Sequence, residues 1–515
     1  MKKTIVLCVA LVLTASANAQ KKKNKKSAEQ KPWPEVKELQ LGQTADGRPI
    51  NGTTIHFTDH ISRYQRDTIR HELFLALQEP FELKGLKYKG KMGAFDPYAK
   101  KFVWVKDLEG DKFRQSHIND NIVVINPQGV IVYDRANGNK KWMKTQPIGF
   151  TDAKHNIGVS KNGTAMDLNT GEVRWKTHIR QAMNVTEVVD LNEDAVLINS
   201  GGVKRINLGD GSGWQYKSKT KGSKVDAGGI IGNVLIGTAT AMATGVAVMP
   251  MSNGEDLDKL NSNILHSGSR IYYASRKDIA CLDEKGNEKW VTELEDKKTS
   301  SSLIWSRGNA IYMLNFGYGY AASTDEPIRI GDAYVAAFNR KTGEKIYQQN
   351  IDPKAFVAGH QVVEDTIWVH SNEKLTKYNL ITGEKLATQE TVRTKLESFF
   401  EFINGDDYYL KTQAGFQPLS VLFPGERFLA DGPAVLRIGK NLQPISEIEE
   451  EIWMVRRIYR DYYFLESRTQ TTIIKNGQPV ATLDLTNVNT FENLLFAVFK
   501  DELAIIDLKE IFDSL

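Results

Sequence analysis

Short apolar runs bounded by polar residues recur along most of the chain, and turn residues interrupt them about every 6–10 positions. Residues 121–125, 195–199, 270–274 and 366–370 are examples. Runs of four to eight residues that are rich in Val, Ile and aromatic residues and bounded by turn residues are typical of β-strands. The pattern therefore predicts an all-β protein, with one appreciable helix expected from Asp67 to Leu77.

One recurring unit explains this pattern. In this unit a strand ends in a large apolar residue followed by Asp or Asn, and Gly comes three or four residues after the Asp or Asn. An aromatic residue then follows the Gly by three or four positions. Residues 165–175, AMDLNTGEVRW, show the unit. The Asp or Asn side chain bonds backbone amides of the turn, and Gly supplies a positive φ. The predicted blade turns are Asp134 and Gly138, Asp167 and Gly171, Asp283 and Gly286, Asn339 and Gly343, and Asn379 and Gly383.

The spacing of the unit predicts the architecture. Its Asp or Asn stands at positions 96, 134, 167, 207, 283, 339 and 379. The long interval after Asn207 predicts a degenerate copy around 234–236 and 246–248. With that copy the period averages about 40 residues, and an all-strand repeat of this length predicts a β-propeller. We expect four-stranded antiparallel blades, most simply eight of them, with seven as the alternative.

The unit resembles the tryptophan-docking repeat of PQQ-type β-propellers, clearly over about residues 90–390. That superfamily includes quinoprotein alcohol dehydrogenases and BamB-type outer-membrane assembly factors. The resemblance implies that the repeated aromatic residue packs between neighbouring blades. The residues in this position are Trp104, Trp142, Trp175, Trp214, Trp290 and Tyr347.

The N-terminal residues predict export. Lys2 and Lys3 precede an apolar run at 5–14, and Ala17-Asn18-Ala19 forms an A-x-A cleavage site. We therefore expect a signal peptide over 1–19, cleavage after Ala19, and a periplasmic or secreted protein with no transmembrane segment. Cys8 lies inside the apolar run and not after the cleavage point, so the chain lacks a lipobox and lipidation is not expected.

Charge separates the N-terminal residues from the body. Residues 1–40 hold nine lysines and three glutamates, whereas the remainder holds 58 basic and 60 acidic residues. A near-neutral body argues against nucleic-acid binding.

The sequence predicts a basic disordered linker over 20–40, an N-terminal extension over 41–90 and the propeller over 91–515. The run Lys21–Lys26 is interpreted as a solvated spacer, with weak contact to an anionic surface as the alternative.

Few residues suggest chemistry. After signal cleavage Cys281 is the single cysteine, and its place in the repeat predicts a small core residue. His56 and His60, with Asp59 between them and His71 nearby, have a spacing that could bind zinc. The sequence gives no clear signal for a fourth ligand, so we interpret these residues as polar loop residues. We predict no catalytic residue, no metal site and no cofactor.

Three functions agree with these features. The leading hypothesis is a non-enzymatic protein-interaction scaffold in the cell envelope, similar to BamB-type assembly factors, with envelope proteins as partners. The alternative is an alcohol or sugar dehydrogenase that uses PQQ with calcium; the mature chain lacks the vicinal disulfide of the larger quinoproteins. A glycan-binding propeller is the second alternative, for which a rim loop containing Phe316, Tyr318 and Tyr320 is the candidate site.

Overall fold

Strands and the turns between them make up nearly all of the described chain in the computed structural model. The described residues are 34–68, 70–78, 90–108, 114–126, 129–179, 187–199, 202–217, 257–258, 260–295, 298–321, 327–352, 357–371, 374–390, 400–403, 407–411, 414–418, 427–431, 435–439, 444–448, 454–467, 469–475 and 478–512. Among these residues no helix combines the length and apolarity that crossing a bilayer requires. The predicted signal peptide and the degenerate repeat copy lie outside the described residues.

The chain begins with a hairpin of β1 (Glu35–Thr44) and β2 (Pro49–His56) and continues into antiparallel sheets of four strands. Sheet 1 contains β3 (His60–Asp67), β4 (Glu72–Gln78), β5 (Gly90–Asp96) and β6 (Lys101–Leu108). Sheet 2 contains β7 (Arg114–Ile118), β8 (Asn121–Asn126), β9 (Gly129–Asp134) and β10 (Lys140–Lys144). Sheet 3 contains β11 (Ile148–Asp152), β12 (Ile157–Ser160), β13 (Thr164–Asp167) and β14 (Val173–Lys176). Sheet 4 contains β15 (Val188–Asn192), β16 (Ala195–Asn199), β17 (Gly202–Asn207) and β18 (Gln215–Lys217).

Sheets 5 to 8 follow the same plan, with additional short strands in the connections of sheets 5, 6 and 8. After β19 (Leu257–Asp258), sheet 5 contains β20 (Leu265–Ser267), β21 (Arg270–Ala274), β22 (Asp278–Asp283) and β23 (Glu288–Glu293). Sheet 6 contains β24 (Ser302–Arg307) and β25 (Ala310–Asn315), and after the hairpin β26 (Tyr318–Ala321) and β27 (Pro327–Arg329) it is completed by β28 (Tyr334–Asn339) and β29 (Lys345–Asn350). Sheet 7 contains β30 (Val357–Val363), β31 (Thr366–Ser371), β32 (Lys374–Asn379) and β33 (Lys385–Glu390). Sheet 8 contains β34 (Phe400–Ile403) and β35 (Asp407–Lys411), and after the hairpin β36 (Ala414–Pro418) and β37 (Arg427–Asp431) it is completed by β38 (Val435–Gly439) and β39 (Pro444–Ile448).

A nine-stranded closing sheet joins the two ends of the chain. Its C-terminal strands are β40 (Met454–Tyr459), β41 (Tyr462–Glu466), β42 (Thr471–Lys475), β43 (Gln478–Leu483), β44 (Val488–Phe491), β45 (Leu494–Phe499) and β46 (Glu502–Asp507), followed by helix α1 (Leu508–Phe512). The order is β40-β41-β42-β43-β1-β2-β46-β45-β44, so the N-terminal hairpin lies between two groups of C-terminal strands. Within the described residues, eight separate four-stranded sheets are therefore present, and the closing sheet adds two four-stranded groups.

The sheets are arranged radially. First strands of successive sheets approach one another: β20 lies near β24, β30 near β34, and β34 near β40. Within the closing sheet, β40 and β44, the first strands of its two four-stranded groups, also approach each other. Each fourth strand lies at the opposite edge of its sheet. First strands at the centre and fourth strands at the periphery describe a β-propeller. The predicted all-β propeller of four-stranded antiparallel blades is confirmed.

The core consists of the layers between neighbouring sheets, as β4 illustrates. Leu73, Leu75 and Leu77 pack against apolar residues of the closing sheet. Phe74 and Ala76, on the other face of the strand, pack against sheet 2. All five side chains are at most 1% exposed. A middle strand is thus buried on both faces, which explains its unbroken apolar sequence.

Aromatic residues of the fourth strands bridge successive sheets. Trp175 of sheet 3 donates from Nε1 to the carbonyl of Leu208 in sheet 4 (2.8 Å), and its ring lies against Gly211. Gly211 has φ +75°, and a Cβ there would lie 2.5 Å from the ring, so the turn requires glycine. The same contact recurs between Trp104 and Gly138, Trp142 and Gly171, Trp214 and Gly286, Trp290 and Gly343, and Tyr347 and Gly383.

Three expectations for the N-terminal third need correction. The helix predicted from Asp67 to Leu77 is wrong, because these residues end β3, turn and form β4. The strands within the predicted N-terminal extension over 41–90 do not form a separate unit. Strands β1 and β2 belong to the closing sheet, and β3 and β4 are part of sheet 1. Residues 35–40, expected in the disordered linker, lie in β1.

Candidate functional site

One end of the propeller carries the long connections. In a four-stranded antiparallel sheet, the second-to-third and fourth-to-next connections lie at one end, and the remaining turns, including the Asp–Gly turns, lie at the other. The long connections are residues 218–264 before sheet 5, 316–333 in sheet 6 and 412–434 in sheet 8. The described strands that flank these connections meet them at the same end of the propeller, which we call the insertion face. Two of them meet, because β19 pairs with β26. Function concentrates on such loops when a rigid scaffold carries them.

A buried amide holds the base of the β26–β27 hairpin. The Asn315 side chain is fully buried at the end of β25. Its Nδ2 donates to the carbonyls of Lys298 (3.1 Å) and Asp332 (2.5 Å). Its Oδ1 accepts hydrogen bonds from the amide (2.7 Å) and the hydroxyl (3.0 Å) of Ser300. Three of these bonds go to Lys298 and Ser300, before β24, and one goes to Asp332, after β27. Because both donors and both acceptor positions are used, Asn315 fixes the base of the hairpin against the segment that leads into sheet 6.

An aromatic cluster, defined as Phe316, Tyr318 and His360, lies at the start of this hairpin. The rings of Phe316 and Tyr318 stack with centroids 5.6 Å apart and planes at 16°. The ring of Phe316 also lies 5.8 Å from that of His360 on β30, and all three side chains are partly buried. Burial lowers the pKa of His360. Tyr320, predicted with the other two aromatics, pairs through its backbone with Asp258 of β19, and its side chain lies outside the described part.

A second feature of the insertion face is a groove of about 470 Å³ between the first strands β3 and β44. Both strands begin at this face, because the connections that lead into them lie there. At Ser62 the pairing of β3 with β4 shifts register, and such bulges redirect neighbouring side chains. Asn489 donates from Nδ2 to the Tyr64 hydroxyl (2.7 Å) and to the carbonyl of Asn487 (3.1 Å), which orders one wall. We call this feature the axial groove; Ile61, Ser62, Arg63, Tyr64, Asn487, Asn489 and Val498 line it.

The histidines with zinc-like spacing do not converge. His56 Nε2 lies 3.4 Å from Glu502, Asp59 accepts a hydrogen bond from Lys91 (3.0 Å), and His71 pairs with Glu492. In the part of the chain that the structure describes, no three His, Cys, Asp or Glu side chains form a group that could hold a metal ion.

Cys281 lies in the core. Its side chain is 1% exposed and belongs to the apolar cluster between sheets 5 and 6. Burial raises the pKa of its thiol, which disfavours the reactive thiolate. These surroundings agree with the small core residue expected from the repeat.

Sequence reasoning missed a buried ionic cluster between sheets 1 and 2. Arg135, 4% exposed, binds both carboxylate oxygens of Asp67, which is 3% exposed, and its Nη1 donates to the carbonyl of Asn119 (2.8 Å). His117 Nδ1 lies 3.4 Å from Asp67 Oδ2, and neither of its ring nitrogens makes a hydrogen bond to a described residue. The ring packs edge-on against Phe74. The cluster fastens two sheets together and lies at the end opposite the insertion face, where β3 terminates.

His117 should make the folded protein sensitive to acid. Burial lowers its pKa from the usual 6.5 to about 4, with nearby Glu72 opposing this effect. As the pH falls below 6.5, the unfolded chain therefore binds a proton that the folded protein does not. Between pH 6.5 and 4 this residue should reduce the free energy of unfolding by about 3 kcal/mol.

Urea unfolding of the wild type and of His117→Gln at pH 7 and pH 4.5 measures this effect. The variant should lose less stability on acidification than the wild type. An equal loss in both proteins would show that His117 is not the responsible group.

Comparison with known proteins finds similar solved structures but no matching family or curated protein. No family model matches the chain, and no curated protein matches it. BamB from Moraxella catarrhalis is similar with a TM-score of 0.35 and 13% identity, over 76% of this chain and 93% of that chain. Sqt1 from Saccharomyces cerevisiae has a TM-score of 0.32 and 11% identity, over 76% of this chain and 96% of that chain. The dihydro-heme d1 dehydrogenase NirN, in complex with DHE, has a TM-score of 0.33 and 9% identity, over 84% of this chain and 83% of that chain. Identities this low carry no information on partner or substrate.

Proposed function

We propose that this protein is an exported, non-enzymatic β-propeller that holds a protein partner of the cell envelope on its insertion face. The observation that carries the proposal is the hairpin of sheet 6, whose base is fixed by Asn315 and whose first residues form a stacked aromatic pair. The N-terminal sequence, with its basic residues, apolar run and Ala17-Asn18-Ala19, supports export.

The aromatic cluster has the properties of an interface anchor. Tyrosine and phenylalanine are enriched in protein–protein interfaces because they offer a large contact area at a low entropic cost. Tyr318 is partly buried, so the stack orients it while part of its surface faces solvent. A base held by four hydrogen bonds reduces the entropy lost when a partner binds.

Photocrosslinking in intact cells tests this proposal. A photoreactive amino acid at position 318 should give one predominant protein adduct, identified by mass spectrometry. The matched control is position 173, where Val173 is 50% exposed on an outer strand, and it should not give that adduct. The same adduct from both positions, or none from position 318, would contradict a partner site at the hairpin.

The Tyr318→Ala variant gives the corresponding binding prediction. Loss of the stacked ring should reduce recovery of the partner at least tenfold, while the urea midpoint of the variant stays close to that of the wild type.

Calorimetric titration of the mature protein with PQQ and Ca²⁺ examines the enzymatic alternative. Stoichiometric, calcium-dependent PQQ binding would overturn the non-enzymatic proposal.

A further inference from the structure

We propose that the protein partner inserts a lysine side chain between sheets 4 and 5, where its ammonium group pairs with Asp278. This inference rests on the proposed function and adds the chemistry of a second contact on the insertion face. The lysine site is defined as Tyr216 on β18, Tyr273 on β21 and Asp278 at the start of β22. Strands β18 and β21 end at the insertion face and β22 begins there, so the site lies at that end of the layer.

The strand register directs the Asp278 side chain towards sheet 4. Side chains at alternate positions share one face of a strand, so Asp278 lies on the same face of β22 as Ala280 and Leu282. Both of these residues belong to the apolar layer between sheets 4 and 5, and so do Tyr216 and Tyr273. The carboxylate therefore closes the end of a layer to which two phenol rings contribute.

Asp278 is a buried carboxylate with few partners. It is 2% exposed, and among the described residues it accepts one side-chain hydrogen bond, from the Ser275 hydroxyl to Oδ1 (2.6 Å). Its Oδ2 is buried and has no hydrogen-bond partner there. Arg276 and Lys277 stand in the same turn, but neither donates to this oxygen. A buried charge of this kind is costly until a cation compensates it.

The two tyrosines add acceptors beside this carboxylate. Tyr216 is 8% exposed, and its hydroxyl makes no hydrogen bond to a described residue. Burial, followed by the charge of Asp278, raises the pKa of Tyr216 to about 12, and the same two causes raise the pKa of Tyr273. The Tyr273 hydroxyl donates to Asn199 Oδ1 (3.4 Å) and can still accept. Since Oδ2 and the Tyr216 hydroxyl do not bond each other, a single group with several N–H donors would satisfy both.

A primary ammonium group fits these acceptors better than other cations do. Its three N–H donors suit Oδ2 of Asp278 and the hydroxyls of Tyr216 and Tyr273. A guanidinium pairs best with both oxygens of a carboxylate, and Ser275 already occupies Oδ1. Ca²⁺ takes about six to eight oxygen ligands, and no three His, Cys, Asp or Glu side chains of the described chain converge to hold a metal.

The depth of the site favours a lysine of the partner. Asp278 and Tyr216 are more than nine-tenths buried, so the ligand must reach below the surface. Lysine carries its ammonium at the end of a flexible four-carbon stem, and such a stem packs well against apolar surface. Glu187, which accepts the amide hydrogen bond of Ile264 (2.7 Å), adds a second acidic side chain at this end of the layer.

Fluorescence anisotropy with labelled hexalysine and the full mature chain tests the inference. The wild type should bind hexalysine more tightly than hexaarginine. Asp278→Asn should weaken hexalysine binding at least tenfold, because it removes the charge that pairs with the ammonium. Asp210→Asn is the matched control, since it removes the same charge from an exposed turn at the other end of sheet 4, and should change binding less than twofold.

Urea unfolding gives an independent measurement. Asp278→Asn should not lower the urea midpoint without peptide, because the charge that it removes is buried and uncompensated. Hexalysine should raise the midpoint of the wild type and leave that of Asp278→Asn unchanged. Tyr216→Phe keeps the ring in the apolar layer, so it should weaken hexalysine binding with an unchanged midpoint. A lower midpoint of Asp278→Asn would show that the carboxylate already has a cationic partner within the chain, and would overturn the inference.

Other results would also contradict a lysine site. Equal weakening by Asp278→Asn and Asp210→Asn would indicate diffuse surface charge, and equal affinity for hexaarginine would remove the preference for ammonium. Methylamine that binds as tightly as hexalysine would indicate a site for a small amine. If hexalysine fails to bind while position 318 still gives its adduct, the lysine site alone is wrong. If hexalysine binds through Asp278 and position 318 gives no adduct, the lysine site stands and the hairpin contact is wrong.

Discussion

Replacing Trp175 by alanine should lower the free energy of unfolding by about 3–5 kcal/mol. The indole is 8% exposed, so its removal leaves a large cavity between sheets 3 and 4. It also removes the hydrogen bond from Nε1 to the carbonyl of Leu208 and the ring that covers Gly211. The loss therefore combines transfer of apolar surface to water, an unfilled space and an unpaired backbone carbonyl.

Urea unfolding followed by circular dichroism measures this loss without depending on tryptophan fluorescence. Val173→Ala is the matched control, because this residue lies on the same strand and is 50% exposed; its effect should be small. If Trp175→Ala were no more destabilised than the control, the indole would not hold the two sheets together.

Replacing Asp67 by alanine should also cost about 3–5 kcal/mol, through a different mechanism. The carboxylate is the partner of Arg135, and both groups are almost completely buried between sheets 1 and 2. Removal of one member leaves a guanidinium charge without compensation in a medium that solvates it poorly. The backbone carbonyl of Arg135 accepts the hydrogen bond of Trp104 Nε1 (3.0 Å), so movement of the arginine would also disturb the aromatic contact between these sheets.

The double variant Asp67→Leu/Arg135→Met separates charge from packing. It should be less destabilised than Asp67→Ala, because a buried ion pair can be replaced by apolar groups at a low cost. Glu193→Ala is the control for a solvent-exposed ion pair, that of Glu193 with Lys154, and should change stability little. A double variant as unstable as Asp67→Ala would show that packing rather than the unpaired charge determines the loss.

The turns between third and fourth strands were predictable because their chemistry is local. In residues 165–175, Asp167 accepts hydrogen bonds from the amides of Asn169 (2.8 Å) and Thr170 (3.0 Å), and Gly171 has φ +75°. These requirements concern neighbours in sequence, so they repeat as a readable pattern. The fourth-strand aromatic was recognisable for the same reason, since its distance from the glycine is nearly constant.

The incorrect helix from Asp67 to Leu77 has a physical cause. Strand β4 has the sequence ELFLALQ, and both of its faces are buried. A continuous apolar run gives neither the period of a helix nor that of a half-exposed strand. The neighbouring sheets decide its conformation, and they are distant in sequence.

The candidate sites were predictable only in part. Phe316 and Tyr318 were recognised as aromatics in a long connection, but their contact with His360 depends on the packing of sheet 7 beside sheet 6. The axial groove joins residues 61–64 to residues 487–498, and the ionic cluster joins Asp67 to Arg135. No local pattern links such pairs, because ring closure and sheet order bring them together.

The closing sheet determines the order in which the protein can assemble. Thr53 of β2 pairs with Ile505 of β46, about 450 positions later in the chain. Eight separate sheets can form among the described residues as the chain emerges, but β44–β46 acquire β2 only when the last residues are present. Formation of this contact should be the slow step, because loop closure over such a distance is entropically costly. Until then the edges by which β2 and β46 will pair are open, and the newly synthesised chain passes through an interval in which it is vulnerable to aggregation and proteolysis.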